Sequence, residues 1–225
     1  MSVVKVRRVK PYTGYNSGTP DNLLLDAGVL FKNFNVNTDT YASAKAAGKC
    51  LGATQKGVEF SAVPNYRRME IDGVHSRTIG DTLPDDWVCY IKSKLIEITK
   101  DNLLLALSIA QPNETVTKQG YTEIRGRSTI LPEDYIGNIT YIGNILGKKD
   151  PIIIQVFNAF HEGGLVITSE DKNNAGIECQ FYGYHSADIY DDVSTELEPP
   201  FAIWVPDDEE ETEETSAQQN QGGNG

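Results

Sequence analysis

Val58-Glu59-Phe60-Ser61-Ala62-Val63-Pro64-Asn65-Tyr66-Arg67-Arg68-Met69-Glu70-Ile71-Asp72-Gly73 is the stretch on which the fold turns. Val58, Phe60 and Ala62 alternate with Glu59 and Ser61, the two-residue period of a strand with one covered face. Pro64-Asn65 reads as a turn and residues 66–71 as a second extended run. Asp72-Gly73 is a hairpin signal, because glycine accepts the positive φ that a tight connection needs. A further turn at Pro84-Asp85-Asp86 leads into residues 87–98, a long strand with apolar ends and a polar centre at Lys92, Ser93 and Lys94.

Upstream, residues 1–21 read as an extended arm, basic at Lys5, Arg7, Arg8 and Lys10 and then rich in Pro, Gly and Ser. Such arms are ordered chiefly against a neighbour. Asp26-Ala27-Gly28 signals a turn before a strand at Val29-Leu30-Phe31. Residues 33–57 form a long polar stretch, with one or two helical turns expected over 41–47. A loop of that length in a compact domain is usually functional, and we read it as an interaction loop.

Downstream, one helix is expected over residues 100–110. Thr99 is a good N-cap, Leu103, Leu104, Ala106, Leu107 and Ala110 recur at helical spacing, and Pro112 is the expected stop. Residues 121–130 alternate weakly. The pentapeptide Tyr-Ile-Gly-Asn-Ile occurs at 135–139 and again at 141–145, an offset that puts equivalent residues on one strand face. Residues 152–160, 165–168 and 177–184 read as a meander with turns at Glu162-Gly163-Gly164 and 171–175, and Pro199-Pro200 introduces a last strand at 201–205. The chain of 225 residues, with 11 Tyr and 7 Phe, thus reads as an arm (1–21), one β-rich domain (22–206) and an acidic tail (207–225).

Net charge is −12, and Asp207, Asp208, Glu209, Glu210, Glu211, Glu213 and Glu214 supply seven of the acids. Without residues 207–225 the chain keeps 20 basic against 25 acidic residues, still net −5, so a conventional DNA-gripping surface is not expected. The tail has nothing to bury and reads as disordered. Cys50, Cys89 and Cys179 are odd in number, widely spaced and without a Cys-x-x-Cys pair, which argues against a disulfide framework or a zinc site. Cys89 and Cys179 fall in strand-like runs and are expected as small buried hydrophobes. No apolar segment follows the basic start as in a signal peptide, and the sequons at Asn113 and Asn138 read as chance.

Chemistry is sparse. His75, His161 and His185 are the only histidines, and His161-Glu162-Gly163-Gly164 lacks the second histidine of a zinc-protease motif, since position 165 is Leu. No nucleophile elbow, phosphate-cradling glycine loop or dinucleotide fingerprint occurs, and Asp85-Asp86 and Asp191-Asp192 read as solvated turn residues. No catalytic, metal-binding or cofactor-binding residue is expected, and the weight moves toward a structural or binding role.

Six segments in order carry a resemblance: Leu25-Asp26-Ala27-Gly28-Val29-Leu30-Phe31-Lys32-Asn33-Phe34, Leu51-Gly52-Ala53-Thr54, Phe60-Ser61-Ala62-Val63-Pro64, Ile71-Asp72-Gly73-Val74, Leu95-Ile96-Glu97-Ile98-Thr99-Lys100-Asp101-Asn102 and Pro199-Pro200-Phe201-Ala202-Ile203-Trp204. Together they resemble the major tail tube protein of siphophages of Gram-positive hosts, a resemblance that covers roughly residues 22–205. The resemblance implies a mainly β fold, a β-sandwich or partly open barrel with one flanking α-helix. It implies a non-enzymatic virion protein, assembled in the host cytoplasm, whose hexameric rings stack into the DNA-ejection conduit of a long non-contractile tail. Hairpins of neighbouring subunits would join into one β-barrel around the lumen, with the arm and the loop at 33–57 bridging subunits. Implied partners are further copies of the chain, the tape-measure protein, tail-tip and terminator proteins, and double-stranded DNA that passes without specific binding. We expect Glu59 and Glu70 to face that lumen and repel phosphate. Two other readings stay open: the inner tube of a contractile injection or type VI secretion-like apparatus, and a monomeric carbohydrate-binding β-sandwich using Tyr182, Tyr184 and Trp204.

Overall fold

The computed structural model describes residues 12–113, 115, 118–169, 174–191 and 197–207. The first eleven residues of the expected arm and the acidic tail from Asp208 onward lie outside the described residues. The elements in chain order are β1 (Leu24–Lys32), α1 (Tyr41–Ala46), β2 (Thr54–Arg68), β3 (Thr82–Leu95), α2 (Lys100–Leu107), β4 (Ala110–Pro112), β5 (Ile124–Gly126), β6 (Ile136–Ile145), β7 (Ile152–His161), β8 (Ile167–Thr168), β9 (Gly176–Tyr182) and β10 (Phe201–Trp204).

The molecule is mainly β. Eight strands form one antiparallel sheet in the order β1-β6-β7-β9-β3-β2, with β10 added to β7 and β8 to β9, and β4 and β5 pair apart from it. β7 is the fold line. Ile153–Val156 pair with β10 and with β6 on the other side, whereas Phe160 and His161 pair with Tyr182 and Phe181 of β9. The sheet bends there, so that its two halves face each other across one core. Leu30, Ile139, Tyr141, Ile154 and Val156 from the β1-β6-β7 half meet Cys89, Ile91, Leu95, Ile177, Cys179 and Phe181 from the β3-β9 half. Val58, Phe60 and Ala62 of β2 pack against the same core, as their alternation predicts.

The sheet does not close into a barrel. Its terminal strands β1 and β2 come close without pairing, and the segment before β2 joins β1 instead, where Leu51 N donates to Leu30 O at 3.0 Å and Phe31 bridges Cys50. α2 lies against the core with Leu103, Leu105 and Ala106 turned into it. Asn102 fixes its start by donating from Nδ2 to the carbonyls of Leu51 and Glu97, each at 2.9 Å.

The loop at 33–57, expected as an interaction loop, has packing of its own within the subunit. Its first part covers the outer face of the β1-β6-β7 half, with Phe34 and Ala44 buried against Phe31 and Ile142. The peptide of Phe34 is tied down by Asn138 Oδ1 at 2.9 Å and by Gln155 Nε2 at 2.8 Å. α1 falls where helical turns are expected and carries a capping box at Thr40 and Ser43. From Thr54 onward the segment is already β2.

Three turn signals lie inside strands instead. Asp26-Ala27-Gly28 is a bulge in β1, with φ of +66° at Asp26 and +64° at Gly28. Pro64 and Asn65 lie in β2 opposite Trp87 and Asp86. A proline is tolerated there because β2 is an edge strand. Pro84-Asp85-Asp86 lies in β3, where the register shift between Asn65 and Tyr66 leaves Asp85 as the extra residue. Two short hairpins are thereby replaced by one long one. The helix is also shorter than expected: Ser108, with φ +56°, ends it ahead of Pro112, and Pro112 belongs to β4. The meander is incomplete as well, since β8 pairs with β9 while β9 runs on between β3 and the end of β7. The pentapeptide repeat lies almost wholly in one strand, β6.

Candidate assembly surface

The β2–β3 hairpin is the feature that its own chain leaves unfinished. β2 is 15 residues long and, among the described residues, no strand pairs along its other edge. An edge of that length presents a row of unpaired N–H and C=O groups, which is a template for another chain. The only irregularity near its start is the bulge at Lys56 and Gly57, with φ of +69° and +80°.

The hairpin also outruns the core. Up to Pro64 and Trp87 it has a covered face, and Trp87 packs on Phe201 at 5.5 Å between ring centroids. Beyond that pair both faces are open, and Tyr66, Met69, Ile71, Val74, Ile79 and Leu83 all stand exposed, Tyr66 at 63% and Ile71 at 53%. Contiguous exposed apolar side chains are commoner at interaction sites than on the rest of a protein surface.

The tip is nonetheless built. Asp81, only 5% exposed, accepts from Thr78 N, Thr82 Oγ1 and Arg68 Nε, each at 2.9 Å. The same guanidinium donates to Ser76 O at 2.6 Å, and Met69 N donates to Asp81 O at 2.7 Å. The Thr78 amide, the Thr82 hydroxyl and then Arg68 hold the Asp81 carboxyl below the usual carboxylate range. The Asp72-Gly73 turn lies within this loop, as its sequence suggests. Asp81 itself carries no signal in the sequence beyond its place before a strand.

The two expected lumen residues are not brought together. Glu59 is on the open face of the β2-β3-β9 half, opposite Lys92, and its Oε1 accepts from Tyr90 OH at 2.8 Å. Glu70 lies past the end of β2 in the exposed tip loop. The open face itself is mixed in charge. The register sets Glu59 beside Lys92 on one side, and Gln180 and Glu178 beside Lys92 and Lys94 on the other.

Among the described residues no group of three His, Cys, Asp or Glu side chains could hold a metal ion. His161 is buried, receives Gln180 N on Nδ1 at 3.1 Å and reaches Gly164 O from Nε2 at 2.9 Å, so both ring nitrogens serve the backbone. Cys89 and Cys179 are buried free thiols, as expected, and burial pushes the Cys179 thiol up to about 12. Tyr182 and Tyr184 are engaged in ring contacts with Tyr90 and with Tyr135 and Phe160, and Tyr184 also meets Glu162. Trp204 stands apart from them, opposite Ile153, so the three aromatics do not form one platform. Among the described residues no helix is long and apolar enough to cross a membrane.

Comparison with protein-family models finds none that matches the chain, and comparison with curated proteins finds no match.

Proposed function

We propose that the chain is a structural subunit that assembles with copies of itself into a phage-type tail tube. The observation that carries the reading is the long free edge of β2, continued into a hairpin whose outer part has two open faces. A head-to-tail contact through that edge uses different surfaces on the two copies, so it closes into a ring when the rotation allows. The opposite border of the same half of the sheet is thin, since β8 has only the two residues Ile167 and Thr168, and the adjoining Val166 is exposed. It is the natural receiver of β2 from the next copy. Pairing there removes the liability of the edge in every subunit at once. Stacked rings would give a conduit for duplex DNA, with the tape-measure and tail-tip proteins as partners, and no reaction is assigned to the chain.

Electron microscopy of the purified full chain, with light scattering on the same sample, tests this. Rings or hollow tubes are the expected result. A chain that stays monomeric at high concentration and also in the presence of tail-tip proteins overturns the reading.

A further inference from the structure

We infer that the open face of the β2-β3-β9 half carries a lysine row, Lys56, Lys92 and Lys94, suited to the phosphate backbone of duplex DNA, and that Glu59 and Glu178 cancel it. The alternation of β3 creates the row. Ile91 and Leu95 point into the core and Ser93 is buried, so Tyr90, Lys92 and Lys94 point outward. Lys56 joins them at the bulge of β2, where Lys56, Glu59, Lys92, Lys94 and Glu178 line one shallow depression.

These lysines are available. None of the ion pairs among the described residues involves Lys56, Lys92 or Lys94. Glu59, the carboxylate opposite Lys92, is turned to the Tyr90 hydroxyl instead. Lys94 is held in place by its stem, which lies over Gly176 so closely that a Cβ there would come within 2.4 Å of Lys94 Cε. Lys92 and Lys94 are separated by about 6.8 Å along the strand. Measured along the helix axis that is about two nucleotide steps of one DNA strand, a spacing over which two flexible ammonium groups can each reach a phosphate.

Glu59 and Glu178 set the balance. Three lysines and two glutamates leave the patch close to neutral inside a body that is otherwise acidic. A basic wall would hold DNA by releasing its counterions, and a wall of alternating sign does not. Glu59 thereby acts by silencing its lysine neighbours as well as by repelling phosphate. The choice of duplex DNA as the ligand rests on the conduit reading. The lysine–carboxylate balance does not.

The test is fluorescence anisotropy of a labelled duplex of about 25 base pairs, long enough to span the row. It uses the unassembled full chain, the double variant Glu59→Gln with Glu178→Gln, and that variant with Lys92→Gln and Lys94→Gln added. The double variant is expected to bind at least roughly tenfold more tightly than the parent. With about three phosphates neutralised, it should lose roughly fortyfold between about 50 and about 200 mM salt. The quadruple variant should return to the parent's binding. All four positions are on the strand surface, and a thermal melt of each variant verifies the fold. No gain in the double variant overturns the inference, and so does a gain that survives loss of Lys92 and Lys94. Failure to form rings counts against the assembly reading alone, because DNA binding is read on single subunits.

Discussion

Asp81 is the residue on which the order of the hairpin tip depends. Its carboxylate is held below the usual range by the Thr78 amide, the Thr82 hydroxyl and Arg68. A carboxyl lowered in the folded state stabilises that state above the unfolded pKa, near 3.9, and the contribution fades as pH falls through the folded value. Exchange protection at the Thr78 amide, which donates to the carboxylate, is therefore expected at neutral pH and fades progressively once pH falls below about 4, while α2 keeps its own. Asp81→Asn should remove the same protection at pH 7. Equal protection of the tip in both proteins would refute the clasp. Gly28 is a second position with one solution. Its φ is +64°, and a Cβ would fall 2.2 Å from Tyr141 Cε2 and 2.7 Å from Ile142 O. Gly28→Ala is expected to cost at least roughly 1–3 kcal/mol in a denaturant titration. At this scale the sequence is uneven. Asp26-Ala27-Gly28 advertises a positive φ, but the residues cannot say whether it serves a turn or a bulge, since both need it. Asp81 and the backbone-bound His161 show nothing in advance, because their partners are distant or are main-chain atoms.

Among the elements, α2 shows what local signals do and do not reach. Its start is legible, because Thr99 caps it and accepts from Asn102 N at 3.2 Å. Its end is not, because Ser108 leaves the helix to donate to His161 O at 2.8 Å, a tertiary contact. Asn102 belongs to the same logic. Truncation to Ala strips the buried Leu51 carbonyl and the part-buried Glu97 carbonyl of their donor and is expected to cost about 1–3 kcal/mol. Retention of full stability in Asn102→Ala would show that water replaces it. The covering loop is a larger test of packing. Phe34→Ala should lose about 3–5 kcal/mol and free residues 33–50 to proteolysis, leaving the β2–β3 half least affected. An interaction loop without a structural role would tolerate the change. The strands of the long hairpin are legible in the sequence and its turns are not, since Pro64 and Pro84 sit in positions where edge geometry and a bulge absorb them.

At the scale of the whole molecule, the alternating residues and the single strong helix point to a mainly β domain. The register shifts at Lys56-Gly57 and Asp85 and the change of pairing partner along β7 have no local signature. What the molecule leaves exposed is then the informative quantity. Ile71 and Ile79 touch little in the subunit, so Ile71→Asp with Ile79→Asp should leave its stability within about 0.5 kcal/mol while abolishing tubes in micrographs. Tubes from that variant would remove the tip from the contact. The central claim, that copies join along the free edge of β2, is read most directly by amide hydrogen exchange along residues 54–68, compared between unassembled protein and assembled tubes. Strong protection appearing on assembly in the β2 amides that β3 leaves unpaired is the expected result. Tubes whose β2 amides exchange as they do in the single subunit would contradict it.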